Sequence, residues 1–469
     1  MKRINTLKKL GLTASLAAIA ASAGAAPPTD GDFDSGWGNN FGRTSIAFDF
    51  GGTKQDITAD SVVGTDGAMY LAGTVRDVNG NPRIGLTKLL PISGAVDVNG
   101  FGTGGRVVSP AGLHATGLAM RNNTLYVGGY QDGPNNGKKF AVCVFNTSGV
   151  PLIFQGPGTS CVTATFALSP ASAQHIANDI AIQADGKIVL GGYIAGIDNG
   201  RYSAFVRFNT NGILDNTFGL SNSGIQVVRG QQFTSEEVNA IGIASNGKIV
   251  GVGASQINGD SVSTSSSLLV RVTASGQVDP ICPQEQYAID FDGSGNRSTI
   301  FNDMVLVPSD GPEDKVVAVG STELSANEPS GVIAKMGNCA LDAIDFSGGD
   351  GTNGYSLVSP VSGGKVRFDA ITRQPGNYFV VAGTVSSPNL PDTDVLVTRY
   401  AYNGSTTSNP LGKLIDFALP GGGFDEAVDV EVAGDAVYVA GWGTTGDGIN
   451  VDYVAAKLVL DRIFADDFE

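Results

Sequence analysis

The sequence predicts an all-β fold built from seven repeats of four short antiparallel strands each. A strand ending in glycine recurs seven times, each recurrence has the same neighbours along the chain, and the two chain ends each carry part of one repeat. The composition agrees, since 66 glycines, 20 prolines and only 16% charged residues in 469 are typical of many short strands joined by tight turns.

The recurring strand is rich in Val, Tyr and Leu, as in Tyr70-Leu-Ala-Gly73 and Val189-Leu-Gly-Gly192. Its last residue, here called the anchoring glycine, lies 56, 63, 61, 67, 63 and 58 residues from the next one. A period of this length indicates a repeat architecture. We interpret the small residues at the end of this strand as positions where the backbones of neighbouring repeats approach closely, near the central axis of the repeat array. The anchoring glycines are Gly73, Gly129, Gly192, Gly253, Gly320, Gly383 and Gly441.

Each anchoring glycine has strands on both sides. Upstream lie a short strand and a turn such as Asp185-Gly186 or Asn246-Gly247, which suits a tight hairpin because glycine tolerates positive φ. Downstream, 14 to 18 residues after the glycine, a third strand carries a central basic residue in six repeats, whereas the second repeat has Cys143 there. The basic residues are Lys88, Arg207, Arg271, Lys335, Arg399 and Lys457.

The chain ends indicate how the repeats are joined. Residues 33–42 and 45–50 look like the turn and fourth strand of a repeat, and the last repeat, residues 428–459, has three strands and lacks a fourth. Together they predict a seven-bladed β-propeller over residues 33–460, with four-stranded antiparallel blades and an N-terminal strand that completes the last blade. A β-solenoid is the alternative, although its period is usually shorter.

The third repeat carries a family resemblance. Residues 180–192 (IAIQADGKIVLGG), followed by Phe205-Val-Arg-Phe208 and residues 212–219 (GILDNTFG), closely resemble the delta-60 repeat family of bacterial propeller-like proteins. The fourth repeat matches well, and the others keep the glycine and the basic strand but lose the Leu-Asp-x-x-Phe-Gly turn. The resemblance implies the propeller fold and no particular reaction.

Both chain ends show features of exported proteins. Residues 1–25 combine four basic residues, an apolar stretch and small residues near Ala25, which predicts a cleaved signal peptide, with residues 26–32 as a linker. We therefore expect a secreted or cell-surface protein without a transmembrane segment. The tail, residues 461–469, resembles an acidic and aromatic ending of many exported bacterial proteins, although Asp467 replaces a glycine; a frayed end is the alternative.

The charge of the chain limits its partners. The formal net charge is −16, and loss of residues 1–25 removes four basic and no acidic residues, which gives −20. Such a surface repels nucleic acid and anionic membranes on average, so we expect no nucleic-acid partner. We also expect a monomer.

Four cysteines allow three disulfide pairings in an oxidising compartment. We favour Cys143 with Cys161, on successive strands of one repeat, and Cys282 with Cys339, in turn regions of consecutive repeats. No C-x-x-C pair is present, and the chain holds only two histidines, so a zinc site is not indicated.

No catalytic motif is evident in the sequence. His114 and His175 each lie at the entrance of a first strand, without a G-x-S-x-G nucleophile motif anywhere, and no phosphate-binding glycine loop of the P-loop type occurs. We therefore predict no catalytic residue and no bound cofactor, and leave enzymatic activity undecided, with a noncatalytic role favoured.

Calcium is the one ligand that a local pattern suggests. Asp290, Asp292 and Ser294 place oxygen atoms at alternate positions before a glycine, as at the start of a calcium loop, but Phe301 stands where a twelfth-position carboxylate is expected. The same residues form ordinary β-turns, which is the favoured interpretation.

Two functions remain open. The favoured one is an exported noncatalytic scaffold or binding module whose loops on one propeller face contact an unidentified protein or glycan. The alternative is a secreted hydrolase or lyase that uses carboxylates gathered in the central funnel, since a propeller brings residues of distant repeats together there.

Overall fold

We describe the protein from a computed structural model. The structure describes residues 33–460 except 51–53, 155–158, 167–172, 196–199, 231–232, 258–264, 283–297, 326–327, 343–344, 347–353, 359–363, 387–391, 407–411, 418, 420–422 and 446–449. The predicted signal peptide, linker and tail lie outside these residues.

The described residues form strands and two short 3-10 helices, Pro134–Asn136 and Leu220–Asn222. In the first half of the chain the strands are β1 (Arg43–Ile46), β2 (Ile57–Val63), β3 (Met69–Arg76), β4 (Pro82–Leu89), β5 (Arg106–Val108), β6 (Leu113–Arg121), β7 (Thr124–Asp132), β8 (Lys138–Asn146), β9 (Cys161–Ala164), β10 (His175–Ile182), β11 (Ile188–Ala195), β12 (Arg201–Phe208) and β13 (Ile225–Val228).

The second half continues the same pattern. Its strands are β14 (Phe233–Ile243), β15 (Ile249–Ile257), β16 (Ser265–Val272), β17 (Thr299–Val307), β18 (Lys315–Ser325), β19 (Glu328–Gly337), β20 (Ala340–Leu341), β21 (Tyr355–Val358), β22 (Lys365–Gln374), β23 (Tyr378–Ser386), β24 (Thr393–Ala401), β25 (Lys413–Ile415), β26 (Asp425–Ala433), β27 (Ala436–Thr444) and β28 (Val451–Val459).

Neighbouring strands pair antiparallel in chain order within each repeat, as predicted for an all-β fold of four-stranded sheets. The first, second, third and sixth repeats are β2–β5, β6–β9, β10–β13 and β22–β25. The fourth repeat shows β14–β16, and one parallel bridge, between Arg201 and Ser235, links it to the third. In the fifth repeat β17, β18 and β19 pair in order, and both β20 and β21 pair with β19.

The sheet of the last repeat contains strands from both ends of the chain. Its order is β1-β28-β27-β26, and β1 pairs with β28 antiparallel from Arg43 opposite Ala456 to Ile46 opposite Tyr453. Strand β2 of the first repeat contacts β26, β27 and β28 of this sheet. The first and last repeats are therefore neighbours in space.

The anchoring glycines face a β-bulge. Each first strand shifts register directly after the residue that pairs with the anchoring glycine of the second strand, as β17 does after Phe301, which pairs with Gly320. A Cβ on Gly320 would lie 1.9 Å from the Ile300 carbonyl oxygen, and the other six glycines show distances of 1.9 to 2.2 Å to the corresponding oxygen. The close approach that we predicted thus lies within each sheet, where a bulge bends the first strand onto the second.

A second glycine joins consecutive repeats. In the first to fourth and the sixth repeats, the turn after the third strand packs against an aromatic ring of the neighbouring repeat. For example, a Cβ on Gly276 would lie 2.6 Å from the ring of Phe218, and Gly276 has a φ of +82°. Trp37 and Phe101 occupy the same role against Gly94 and Gly149. These contacts bury the aromatic rings between the repeats.

In the third and fourth repeats the basic residue of the third strand forms a buried ion pair with the turn that follows. Arg207 Nε lies 2.7 Å from Asp215 Oδ2, and Arg271 Nε lies 2.5 Å from Asp279 Oδ2. In the last repeat the acid comes from the N-terminal segment, since Lys457 Nζ lies 2.9 Å from Asp34 Oδ2. The acid partner holds the turn against the strand and compensates the buried cation.

Both predicted disulfides are confirmed. Cys143 pairs with Cys161 across β8 and β9, so a disulfide occupies the third-strand position that carries a basic residue in the other six repeats. Cys282 pairs with Cys339 and crosslinks the fourth repeat to the fifth. In the part of the chain that the structure describes, no helix is long and apolar enough to span a membrane.

Candidate functional site

The first strands of the repeats lie next to one another and gather a set of carboxylates. Strands β2, β6, β10, β14, β17, β22 and β26 each contact the first strand of the next repeat, and β26 contacts β2. Directly after the bulge, the odd-numbered repeats carry Asp60, Asp179, Asp303 and Asp429. The even-numbered repeats carry small residues there, Gly117, Ala240 and Ala370. We call the four acids the first-strand aspartates.

Each first-strand aspartate bonds its own strand and the next repeat. Asp303 Oδ1 accepts a hydrogen bond from Met304 N (2.7 Å), and its Oδ2 accepts one from Ile371 N of the sixth repeat (2.8 Å). Asp60 and Asp179 bond in the same way, to Leu118 N at 2.6 Å and to Ile241 N at 2.7 Å. Asp429 Oδ2 accepts from the Ser61 hydroxyl at 2.5 Å.

Side chains at the bulge add a second series of bonds between repeats. Asn178 Nδ2 donates to the Val238 carbonyl, Asn239 Nδ2 to Phe301 and Asn302 Nδ2 to Phe368, each at 2.8 Å. The bulge therefore aims a polar side chain of one repeat at the backbone of the next. The side chains that recur along the first strands hold consecutive repeats together.

Burial and mutual repulsion raise the pKa of these acids. Removal from water, more than any other cause, raises the pKa of Asp303 to about 8 and that of Asp179 to about 6, although backbone N–H donors oppose the shift. Glu431, two residues beyond Asp429, has its pKa raised to about 8 by burial and by Asp429 and Asp303. With pKa values of about 8, the carboxyl groups of Asp303 and Glu431 hold a proton at neutral pH.

A second acidic cluster lies between the sixth and seventh repeats. One carboxylate oxygen each of Asp394, Asp416 and Asp425 lie within 4.8 Å of one another. Asp425 Oδ2 also accepts a hydrogen bond from Phe417 N at 2.9 Å. Burial, then repulsion among the neighbouring acids, raises the pKa of Asp394 to about 7. Three oxygens would supply part of the six to eight ligands that calcium takes.

A pocket of about 660 Å³ opens between the fifth and sixth repeats. It is formed by the turn between β17 and β18, the turn after β19 and the turn between β22 and β23. Its polar lining includes Lys315, Asn338, Asp345, Arg373 and Asn377, and Tyr402 supplies an aromatic ring. Such a mixture of a ring with a few polar groups is typical of small-molecule sites.

The histidines lie apart from both acidic sets. His175 begins β10, is buried, packs edge-on against Phe166 at 4.7 Å and has its pKa lowered to about 4 by burial. His114 Nε2 lies 3.2 Å from Asp132 Oδ2, and its ring stacks on Tyr130 at 4.2 Å. The proposed calcium residues Asp290, Asp292 and Ser294 lie outside the described residues.

The sequence reasoning missed the first-strand aspartates, although a signal was present. They fall in alternate repeats, each two residues after the residue that pairs with the anchoring glycine. A comparison of single positions across all seven repeats would have isolated this alternation of acidic and small residues. The reasoning also missed the pocket, because its turns differ in length and composition from those of the other repeats.

Comparisons with known proteins agree with the fold. Residues 183–218 match a family described as a β-propeller domain of unknown function, DUF5122. No curated protein matches the chain. A solved structure of the polysaccharide lyase Uly1 is similar at 10% identity and a TM-score of 0.43, covering 86% of this chain and 90% of the lyase.

Two further structures show the same level of likeness. The β-propeller domain of the Trilobed protease from Pyrococcus furiosus has 9% identity and a TM-score of 0.37, with 87% of this chain and 96% of that domain covered. A Trypanosoma rangeli sialidase has 9% identity and a TM-score of 0.37, with 89% of this chain and 59% of the sialidase covered. The chain is thus all-β and similar over its third repeat to a β-propeller repeat family.

Proposed function

We propose that the chain is an exported seven-bladed propeller closed by its N-terminal strand. The pairing of β1 with β28 and the contacts of β2 with β26 to β28 support closure. Seven bulged first strands, each facing an anchoring glycine, support the blade number. Two disulfides support an oxidising compartment, as expected for a secreted protein that follows the delta-60 pattern.

We propose that this propeller is a noncatalytic binding scaffold. The main support is that the first-strand aspartates accept hydrogen bonds from backbone N–H groups of their own repeat and of the next one. The carboxylates that recur along the chain therefore hold consecutive repeats together. The features that do not recur lie in the turns at the blade edges, as in the pocket between the fifth and sixth repeats. These turns are the surface offered to a protein or glycan partner.

The test compares binding with turnover on the same panel of polysaccharides. The wild-type protein is run through gels containing each polysaccharide, and the same polymers are incubated with it and assayed for new reducing ends and for unsaturated products. Retardation without product supports the scaffold. Absence of retardation by every polymer, together with no protein partner captured from the native culture medium, refutes it.

Glu431 favours the alternative of a hydrolase or lyase. This carboxyl, with its pKa near 8, would be protonated at neutral pH as a general acid requires, and it lies on the same strand as Asp429, whose pKa is raised to about 6. The variant Glu431→Gln decides this point in the assay above. Product formation by the wild type that is abolished in Glu431→Gln establishes the enzyme, since the amide cannot donate that proton.

A further inference from the structure

The fifth repeat departs from the ion-pair pattern of the third and fourth repeats. In the third repeat Asp215 N donates to the Arg207 carbonyl oxygen at 2.9 Å, and the Asp215 carboxylate binds the Arg207 side chain. In the fifth repeat Asp342 N donates to the Lys335 carbonyl oxygen at 2.8 Å, so Asp342 is the equivalent acid. Its carboxylate is bound instead by Lys315 Nζ at 2.6 Å.

Lys335 is left as a buried cation without an acid of its own. Its side chain is fully buried, and its Nζ has no hydrogen-bond acceptor among the described residues. The ammonium lies 3.4 Å from the ring centroid of Tyr402 in the sixth repeat. A cation–π contact compensates only part of the cost of burying a charge. A negative charge placed near Lys335 would therefore be stabilised.

Tyr402 connects this cation to the pocket. The ring lines the pocket together with Lys315 and Arg373, and both of these cations act on its hydroxyl. Of the acids near the ring, Asp342 and Asp345 are both bound by Lys315. Among the described residues no acceptor is present for the Arg373 guanidinium. Three basic groups, Lys315, Lys335 and Arg373, thus lie around Tyr402 with two acids, Asp342 and Asp345, and Asp310 supplies a further carboxylate to the pocket lining.

The remaining lining can bind hydroxyl groups. Asn338 and Asn377 offer amide donors and acceptors, and Ser309 and Asp310 lie in the turn between β17 and β18. Glu313, a further acid of the lining, is already bound by Lys248 Nζ at 2.5 Å. The lining thus combines Arg373, a cation without an acceptor among the described residues, with the neutral amides of Asn338 and Asn377 and the carboxylate of Asp310.

We propose that this pocket binds a small hydroxylated carboxylate of the uronic-acid class, with the carboxylate on Arg373 and the hydroxyl groups on Asn338, Asn377 and Asp310. The site deepens the proposed binding function, on which it rests, by naming a ligand class and the repeats that hold it. A carboxylate at this end would meet a guanidinium in the bidentate geometry that arginine favours, and it would offset the charge of Lys335 behind the ring.

The test is calorimetric titration of the whole mature protein with D-glucuronate and D-glucose, which differ only by a carboxylate in place of a hydroxymethyl group. We expect saturable heat with glucuronate and at least about tenfold weaker binding of glucose, since a charge-assisted bond is lost. Arg373→Gln weakens glucuronate binding about tenfold or more. Lys335→Met, which removes the buried cation without reaching the pocket surface, weakens it less.

The control is Arg121→Gln, an arginine at the end of the first strand of the second repeat, where the guanidinium donates to the Ala184 carbonyl outside the pocket. This variant leaves glucuronate binding unchanged. Equal affinity for the two sugars, no heat with either at about 10 mM, or full glucuronate binding by Arg373→Gln overturns the inference. If Arg373→Gln still binds the polymers or partner that the wild type binds, the pocket is wrong and the binding scaffold stands.

Discussion

The anchoring glycines make a sharp prediction about stability. In Gly320→Ala the new Cβ would lie 1.9 Å from the Ile300 carbonyl oxygen and 2.9 Å from Phe301 Cα, whereas ordinary contacts begin at 3.4 Å. The backbone of β17 must therefore move by more than an ångström, which strains the bulge and weakens the ladder between β17 and β18. We expect a loss of about 2–4 kcal/mol in the free energy of unfolding, from overpacking and weakened hydrogen bonds.

Gly337→Ala provides the control in the same repeat. Gly337 also lies in a strand, β19, but its nearest neighbours for a Cβ are atoms of Lys315 at 3.9 Å. This substitution changes stability by less than about 0.5 kcal/mol or stabilises slightly, because alanine restricts the unfolded chain. Urea unfolding followed by far-ultraviolet circular dichroism measures both variants. Equal stabilities of Gly320→Ala and Gly337→Ala would refute the steric account.

Four further outcomes are expected. Gly276→Ala costs more than Gly80→Ala in thermal unfolding, because both have positive φ (+82° and +79°) but only Gly276 faces the Phe218 ring; equal losses contradict this. The double variant Cys282→Ser/Cys339→Ser, which opens a crosslink spanning 57 residues, loses about 4 kcal/mol, against about 3 for Cys143→Ser/Cys161→Ser, which spans 18; the reverse order argues against the chain-entropy account. Glu431→Gln gains stability at about pH 9 and little at about pH 4. The reason is that the folded wild type keeps this proton up to a pKa of about 8, whereas the unfolded chain loses it near its ordinary 4.5; a gain independent of pH contradicts the raised pKa. Calorimetric titration of the metal-free protein with millimolar calcium shows no heat if the loop of Asp290 is a turn, and binding that Asp290→Asn abolishes overturns that interpretation.

Much of the fold follows from patterns that glycine and basic residues impose locally. A bulge that presses a carbonyl oxygen onto the next strand admits only glycine, so Gly320 and its counterparts appear at a regular spacing. A buried arginine such as Arg271 requires an acid nearby, so in the third and fourth repeats the basic strand is followed by a turn that carries Asp215 or Asp279. Both constraints act within one repeat, where sequence spacing reports them directly.

The candidate site depends on contacts between repeats, which spacing does not report. Asp303 bonds Ile371 across a sheet boundary, and nothing in the local sequence distinguishes it from a solvated turn acid. Lys335 matches the other basic strand residues in sequence, and only the three-dimensional structure shows that Asp342 binds Lys315 instead of Lys335. The departure of one repeat from the others therefore becomes visible through geometry.

The pairing of Arg43–Ile46 with Val451–Val459 also dictates the order in which the molecule can be finished. Strand β1 is synthesised early and its partner β28 is synthesised last. A chain that is still emerging from the ribosome or from a translocation pore therefore cannot form this strand pair until β28 has emerged. For that reason, deletion of β1 or of β28 should leave the same sheet with an unpaired strand edge, and both truncated proteins should aggregate.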